Sequence, residues 1–205
     1  MQYFWVKVHI HPLHDHNNKV VGYQSLREDI TYRKELENLA AYDKLTGLYN
    51  RRKFDELLQI EMDRARRYNG HFSLILCDVD HFKEVNDKYG HLIGDQVLVK
   101  ITESIKKSIR LSDILARWGG EEFAVLLPHT SQEDAEIVAE KIRYGVEETL
   151  FECVGRVTIS CGVSQVIDGE SRSTLFQRVD NALYRAKERG RYCIVCVKGT
   201  SKNPS

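Results

Sequence analysis

Two pairs of carboxylates in this 205-residue chain are placed where they could do chemistry. Asp78-Val79-Asp80 closes the nearly unbroken apolar run Phe72–Val79, and Glu121-Glu122 follows Gly119-Gly120. An apolar run of that length without alternation predicts a strand buried on both faces, so at least one carboxylate leaves the core where the chain turns into a helix. Residues 114–118 and 123–127 read as strands on either side of the double glycine, which makes a hairpin with Glu121 and Glu122 at its tip. If the two strand ends are neighbours, the carboxylates converge on one point, as a hard divalent cation with oxygen ligands and phosphate partners requires. Carboxylates that close repel one another unless a cation joins them. Taken singly, either pair reads as surface acids at a strand end. The double glycine adds room for phosphates to approach backbone amides.

Other residue sets carry weaker chemistry. Arg110 and Asp113, three apart at a predicted helix end, read by themselves as an intrahelical pair. Cys193 and Cys196 have metal-like spacing, but in a strand an offset of three points side chains to opposite faces, and there is no second such pair. The five cysteines are odd in number and mostly sit in apolar runs, which suits reduced thiols in a cytosol. His9, His11, His14 and His16 could hold a metal, yet strand-end residues beside a polar loop are the simpler reading. Thirty basic and 30 acidic residues cancel, which argues against a general binder of nucleic acid or anionic membrane; any polyanion must be met locally. No apolar run reaches the roughly 18 residues of a membrane span, and Met1–Ile10 lacks signal-peptide order. A cytoplasmic location is expected, with membrane anchoring of a longer parent protein left open.

The elements that must position these residues follow from periodicity. Residues 2–11 and 19–28 are β-rich runs about a polar segment and predict an antiparallel pair, too small to be a domain and expected to be the tail of something larger. Asp29 or Thr31 can cap a helix over 32–42 with Tyr32, Leu36 and Leu39 on one face. From Asp43 helix and strand alternate: helix 51–68, strand 72–79, a short helical turn, helix 92–109, the hairpin, helix 132–149, strand 157–166, helix 174–188 and strand 192–197. This predicts an α/β (α+β) domain of about five strands in a sheet surrounded by helices.

At this point the motifs become specific. Arg117-Trp118-Gly119-Gly120-Glu121-Glu122-Phe123 resembles the signature of the GGDEF family of diguanylate cyclases, in its Glu-for-Asp variant. Asp43-Lys44-Leu45-Thr46-Gly47-Leu48-Tyr49-Asn50-Arg51-Arg52 is similar to the family's opening motif. Asp78 to Lys83, with Asn86-Asp87, Gly90-His91 and Gly94-Asp95, matches its central stretch. Ala182-Leu183-Tyr184-Arg185-Ala186-Lys187 with Gly190-Arg191 matches its close. The resemblance covers about Asp43 to Val197 and implies a nucleotidyl-cyclase-like fold related to the polymerase palm, with residues 43–198 as catalytic domain and 199–205 as a disordered tail. Trp5-Val6-Lys7 through Pro12, Asp15, Gly22-Tyr23 and Asp29-Ile30-Thr31 resemble the last two strands and exit motif of a PAS sensor, of which residues 1–30 would be the end, and 31–42 would be a signalling linker helix able to pair with a copy of itself.

The resemblance also implies roles. Asp78, the carbonyl of Val79, and Glu121 would hold Mg²⁺, or Mn²⁺ in its place, with Glu122 a second-metal ligand or an aid to deprotonating the attacking hydroxyl; two metals per site are expected. Lys83 and the amides about His81 and Phe82 would cradle phosphates, joined by Gly119, Gly120, Lys187 and Arg191. Asn86 and Asp95 would read guanine, and His91 would either support that pocket or cap its helix. The implied reaction joins two GTP into cyclic di-GMP and two pyrophosphates across a homodimer, because one domain holds one GTP. Arg110 and Asp113 match the family's inhibitory product site, whose second basic residue, Lys141 or Arg143, stays open. A catalytically silent GTP- or cyclic di-GMP-binding module is the alternative, and a polymerase palm fits poorly with a neutral chain. Two positions depart from the common pattern: Tyr192, where Asn usually follows Gly-Arg, and Glu121 for Asp, which active relatives share.

Overall fold

The computed structural model describes residues 4–197. The chain divides into two compact units after Ala41. In the first, strands β1 (Val6–His14) and β2 (Val20–Asp29) pair antiparallel from Val6 opposite Asp29. Their turn is drawn in by the Asp15 carboxylate, which accepts from the amides of Asn17 and Lys19 at 2.8 and 2.9 Å. Asp29 Oδ1 then accepts from the Thr31 amide, and helix α1 runs Thr31–Ala41. Tyr32 and Leu36 are exposed on it. The side chain of Leu39 and the expected tail 199–205 lie outside the described residues.

The second unit carries a six-stranded mixed sheet in the order β3-β5-β6-β4-β7-β8: β3 (Tyr49–Asn50), β4 (Phe72–Val79), β5 (Ile114–Gly119), β6 (Glu122–Pro128), β7 (Ile159–Gln165) and β8 (Ile194–Cys196). The sixth strand beyond the expected five is β3, two residues long and parallel to Ala116–Arg117. So short a run has no periodicity to detect.

All eight residues of β4 are buried, because both faces of the sheet are covered. On one face Ile75, Cys77 and Val79 meet α4 (His91–Ser108) and α5 (Gln132–Glu147) through Val97, Leu98, Ile101, Ala139 and Ile142. On the other Leu74 and Leu76 meet α2 (Arg51–Tyr68) and α6 (Arg172–Glu188) through Phe54, Leu58, Leu175, Val179 and Leu183. Between β4 and α4 lies α3 (Phe82–Tyr89). Asn50, Ser131 and Ser171 cap α2, α5 and α6, each accepting from the amide three residues on. The site elements thus hang from the middle of a two-sided core.

Candidate active site

β4 pairs with β6 so that Asp78 stands opposite Glu122, and the Val79 amide donates to the Glu121 carbonyl at 3.3 Å. The hairpin tip is thereby held against the end of the central strand. Asp78 lies on the face covered by α6, and Lys187, in the last turn of α6, places its Nζ 2.7 Å from Asp78 Oδ2. Burial raises the Asp78 pKa; the Lys187 bond opposes this, while Glu121 and Asp80 add to it. Glu122 is raised as well, by burial first and then by Asp78, against the pull of Lys187, with further contributions from Glu121 and Asp180. Like charges crowd here in a part-buried place, with one ammonium among them. Among the described residues these carboxylates are not drawn into a group of three that could hold a metal ion, and Asp78 is paired with Lys187; their all-oxygen chemistry is of the kind a hard divalent cation takes. Asp180 escaped the sequence reading, although it sits seven residues before Lys187 and therefore on the same face of α6.

Asp80 is spent on structure. Its Oδ1 accepts from Ser160 at 2.7 Å, and its Oδ2 from Thr158 at 2.7 Å and from the Tyr192 amide at 3.1 Å. Of the two aspartates that close β4, only Asp78 remains available to a ligand.

The hairpin is braced from behind. Arg117 donates from Nε to the Gly120 carbonyl at 2.9 Å and from one terminal nitrogen to both oxygens of Asp43 at 3.2 Å. Burial alone would raise Asp43, but the Thr46 hydroxyl and amide and Arg117 outweigh it, so its pKa lies below the ordinary value. A depressed carboxylate supports the fold above its unfolded pKa and loses that support as pH falls through the folded one, so the brace is intact at neutral pH. Trp118, bulged from the β5–β6 register, stacks on Phe176 at 4.5 Å under Arg51 at 4.4 Å. At the tip, Gly120 has φ +50°, and a Cβ built on Gly119 or Gly120 meets nothing within 4 Å.

Lys83 is exposed in the first turn of α3, whose N-cap His81 (φ +56°) makes no side-chain cap bond. Phe82 buries its ring and leaves only its backbone for a ligand. Helix N-terminal amides without a side-chain cap favour an anion. α3 and α4 approach closely at Gly94, the residue before Asp95: a Cβ there would sit 2.0 Å from Asn86 Oδ1 and 3.2 Å from Phe82 Cζ. Gly94→Ala is therefore expected to fold, since the Asn86 side chain can swing away. If Asn86 holds the substrate's base, as the resemblance implies, the displaced amide should raise KM about tenfold while kcat changes little, as steady-state kinetics would read. His91 opens α4 as an exposed residue after the N-cap Gly90, and no side chain caps that helix.

Arg191, φ +66°, is exposed just beyond α6. Neither it nor Lys83 is bonded to the carboxylate cluster among the described residues. Arg110 and Asp113 are not an intrahelical pair. They lie in a turn after α4, where Asp113 Oδ2 accepts from the Arg110 amide at 2.7 Å and the Asp113 amide returns to the Arg110 carbonyl at 3.1 Å. The Arg110 side chain borders a shallow cleft with Lys106, Leu111 and Tyr49. Arg143 is engaged by Glu140 at 2.8 Å and lies over Tyr192, whereas Lys141 is exposed.

Comparison with known proteins places these features in a family. Residues 40–193 match the family "Diguanylate cyclase, GGDEF domain". Diguanylate cyclase DgcM of Escherichia coli is 42% identical over 167 residues, 80% of this chain and 41% of that protein, so the chain spans less than half the length of this relative. Among solved structures, the coiled coil and GGDEF domain of DgcB from Caulobacter crescentus, in complex with c-di-GMP, has a TM-score of 0.77 at 30% identity, covering 81% of this chain and 90% of that one. The active GGEEF domain of a diguanylate cyclase from Vibrio cholerae has a TM-score of 0.70 at 34% identity over 74% of this chain and 98% of its own.

Proposed function

The chain belongs to the GGDEF-domain family of diguanylate cyclases, and from that premise we propose that it condenses two GTP into cyclic di-GMP and two pyrophosphates. The observation that carries this reading is the strand register that sets Asp78 opposite Glu122, next to Glu121 at the hairpin tip, with Lys187 bonded to Asp78. Asp78, the Val79 carbonyl, Glu121 and Glu122 would hold Mg²⁺, which when bound supplies positive charge to the phosphate oxygens. Lys83 and the first amides of α3 would grip the terminal phosphates, with Lys187 and Arg191 as further cations. Lys187 is at present the counter-ion of Asp78; a metal on Asp78 would free it to turn towards a phosphate.

Asn86 and Asp95 would orient guanine. A carboxylate accepts from N1–H and the exocyclic amine, donors that adenine does not offer together. Where it does not itself bind the metal, Glu122, opposite Asp78, would help remove the 3′-hydroxyl proton. Each attack joins that hydroxyl to the α-phosphate of a nucleotide on a second copy, so a homodimer is needed. The antiparallel pairing of β1 and β2 supports reading the first unit as the end of a PAS sensor, with α1 as linker.

The test is direct: incubate the purified chain with GTP and Mg²⁺ and look for cyclic di-GMP by mass. No product from a verified dimer would leave the silent binding module as the reading. Feedback has its own test. Arg110→Ala should leave the uninhibited rate unchanged and raise the product concentration for half-inhibition about tenfold, the value of one charge-assisted bond. Unaltered inhibition would return Arg110 to the role of a turn residue.

A further inference from the structure

The turn after α6 holds an arrangement that neither its length nor its composition requires. Arg191 and Tyr192 are consecutive non-glycine residues in the left-handed region, with φ +66° and +48°. For a bulky residue such as tyrosine that conformation persists only where the surroundings over-determine it. They do so from three sides. The Tyr192 amide donates to the buried carboxylate of Asp80 at 3.1 Å, and Asp80 is itself fixed by Thr158 and Ser160. Two guanidinium groups lie over the Tyr192 ring, Arg143 at 4.2 Å and Arg156 at 4.9 Å. Both arginines are anchored to Glu147, and Arg143 also to Glu140. On the other side the Arg191 amide returns to the Ala186 carbonyl at 3.2 Å.

We propose that Tyr192 is a positioning residue for substrate: held against Arg143 and Arg156 and tied to Asp80, it fixes the strained turn that aims Arg191 at the phosphates of GTP. The turn is thereby referenced to β4, since Asp80 lies two residues beyond Asp78. An exposed arginine on a loose turn would spend binding energy on its own ordering; one on a fixed turn does not. The inference rests on the reading of Arg191 as a phosphate ligand, and the experiment separates the two.

The affinity of 3′-deoxy-GTP, which lacks the attacking hydroxyl, is measured by calorimetry with Mg²⁺, well below the melting temperature of each variant. Arg191→Ala should weaken it about tenfold, the scale of one lost charge-assisted contact. Tyr192→Ala should weaken it almost as much, and Tyr192→Phe, which keeps ring and amide, should bind as the parent does. In the Arg191→Ala background, Tyr192→Ala should cost nothing more, which a general loosening of the fold would not reproduce. If Arg191→Ala binds normally, the phosphate reading itself fails. If Arg191→Ala is weak but Tyr192→Ala is not, or if their losses add in full, the positioning role is overturned.

Discussion

Replacing Glu121 by alanine is expected to reduce cyclic di-GMP formation from GTP and Mg²⁺ by about a thousandfold or more, with the fold intact. The side chain stands at a hairpin tip, half-buried, and its carboxylate adds to the negative potential on both Asp78 and Glu122. Removing it relieves repulsion in the metal-free protein, so the melting temperature without Mg²⁺ should hold steady or rise. The stabilisation that added Mg²⁺ confers on the parent should shrink in the variant, because ligand binding stabilises only as far as the site persists. A single well-placed electrostatic group accounts for roughly 10²–10³ in rate, and losing a metal ligand removes more than one contact. Glu121→Asp, one methylene shorter with the same charge, should retain most of the rate. A Glu121→Ala protein that turns over at the parent rate would refute the metal assignment.

How much of this was legible in the sequence depended on whether the signal was local. The continuous apolar run before Asp78 announced a strand covered on both faces, and α4, α5 and α6 each carried a clear helical period, whereas α2 was legible only from its composition. The carboxylates were legible because they end such elements. What spans the chain was not. Arg117 and Asp43 both sit in recognisable motifs, yet their pairing joins residues 74 positions apart and leaves no local trace. The contact of Lys187 with Asp78 depends on the crossing of α6 over β4, which periodicity does not fix. Asp80 shares residue type and strand end with Asp78, to which alone the resemblance gave a ligand's role; what Asp80 does instead depends on the fold, which sets Ser160 and Thr158 beside it. Tyr192 looked like a departure at a helix end and proves to be the centre of a stacked cluster, because Arg143 and Arg156 arrive from other elements.

Gly162→Ala should be the most damaging single-atom addition in the catalytic domain. Gly162 lies in β7, between β4 and β8, under α6. A Cβ there would fall 2.3 Å from the Val179 carbonyl oxygen and 2.4 Å from the Leu183 nitrogen, where ordinary contacts begin near 3.4 Å. Those atoms lie four residues apart in one helix, the spacing of an α-helical hydrogen bond. The new methyl would therefore press on the helix backbone itself, and no side-chain rotamer can relieve it. Either α6 lifts by roughly 1 Å or β7 bends out of its ladder.

Both responses disturb well-packed groups: Leu175, Val179, Ala182, Leu183 and Ala186 are all buried on that face of α6. Overpacking against side chains costs about 1–3 kcal/mol, and against backbone at this range a loss of about 3 kcal/mol or more is expected. For a domain of this size that lowers the melting temperature by about 6–12 °C. A lifted α6 also carries Lys187 away from Asp78, so activity should fall further than the unfolded fraction explains, when assayed well below the melting point. Gly145→Ala in α5 is the matched control. There the added methyl would meet only the Ser104 and Ser108 hydroxyls at 3.2 and 3.3 Å, side-chain atoms that can give way. The gain in helix propensity of about 1 kcal/mol then offsets the crowding. Urea melts of the two variants should move well apart, and a Gly162→Ala protein as stable as the parent would mean that α6 does not lie this close to β7.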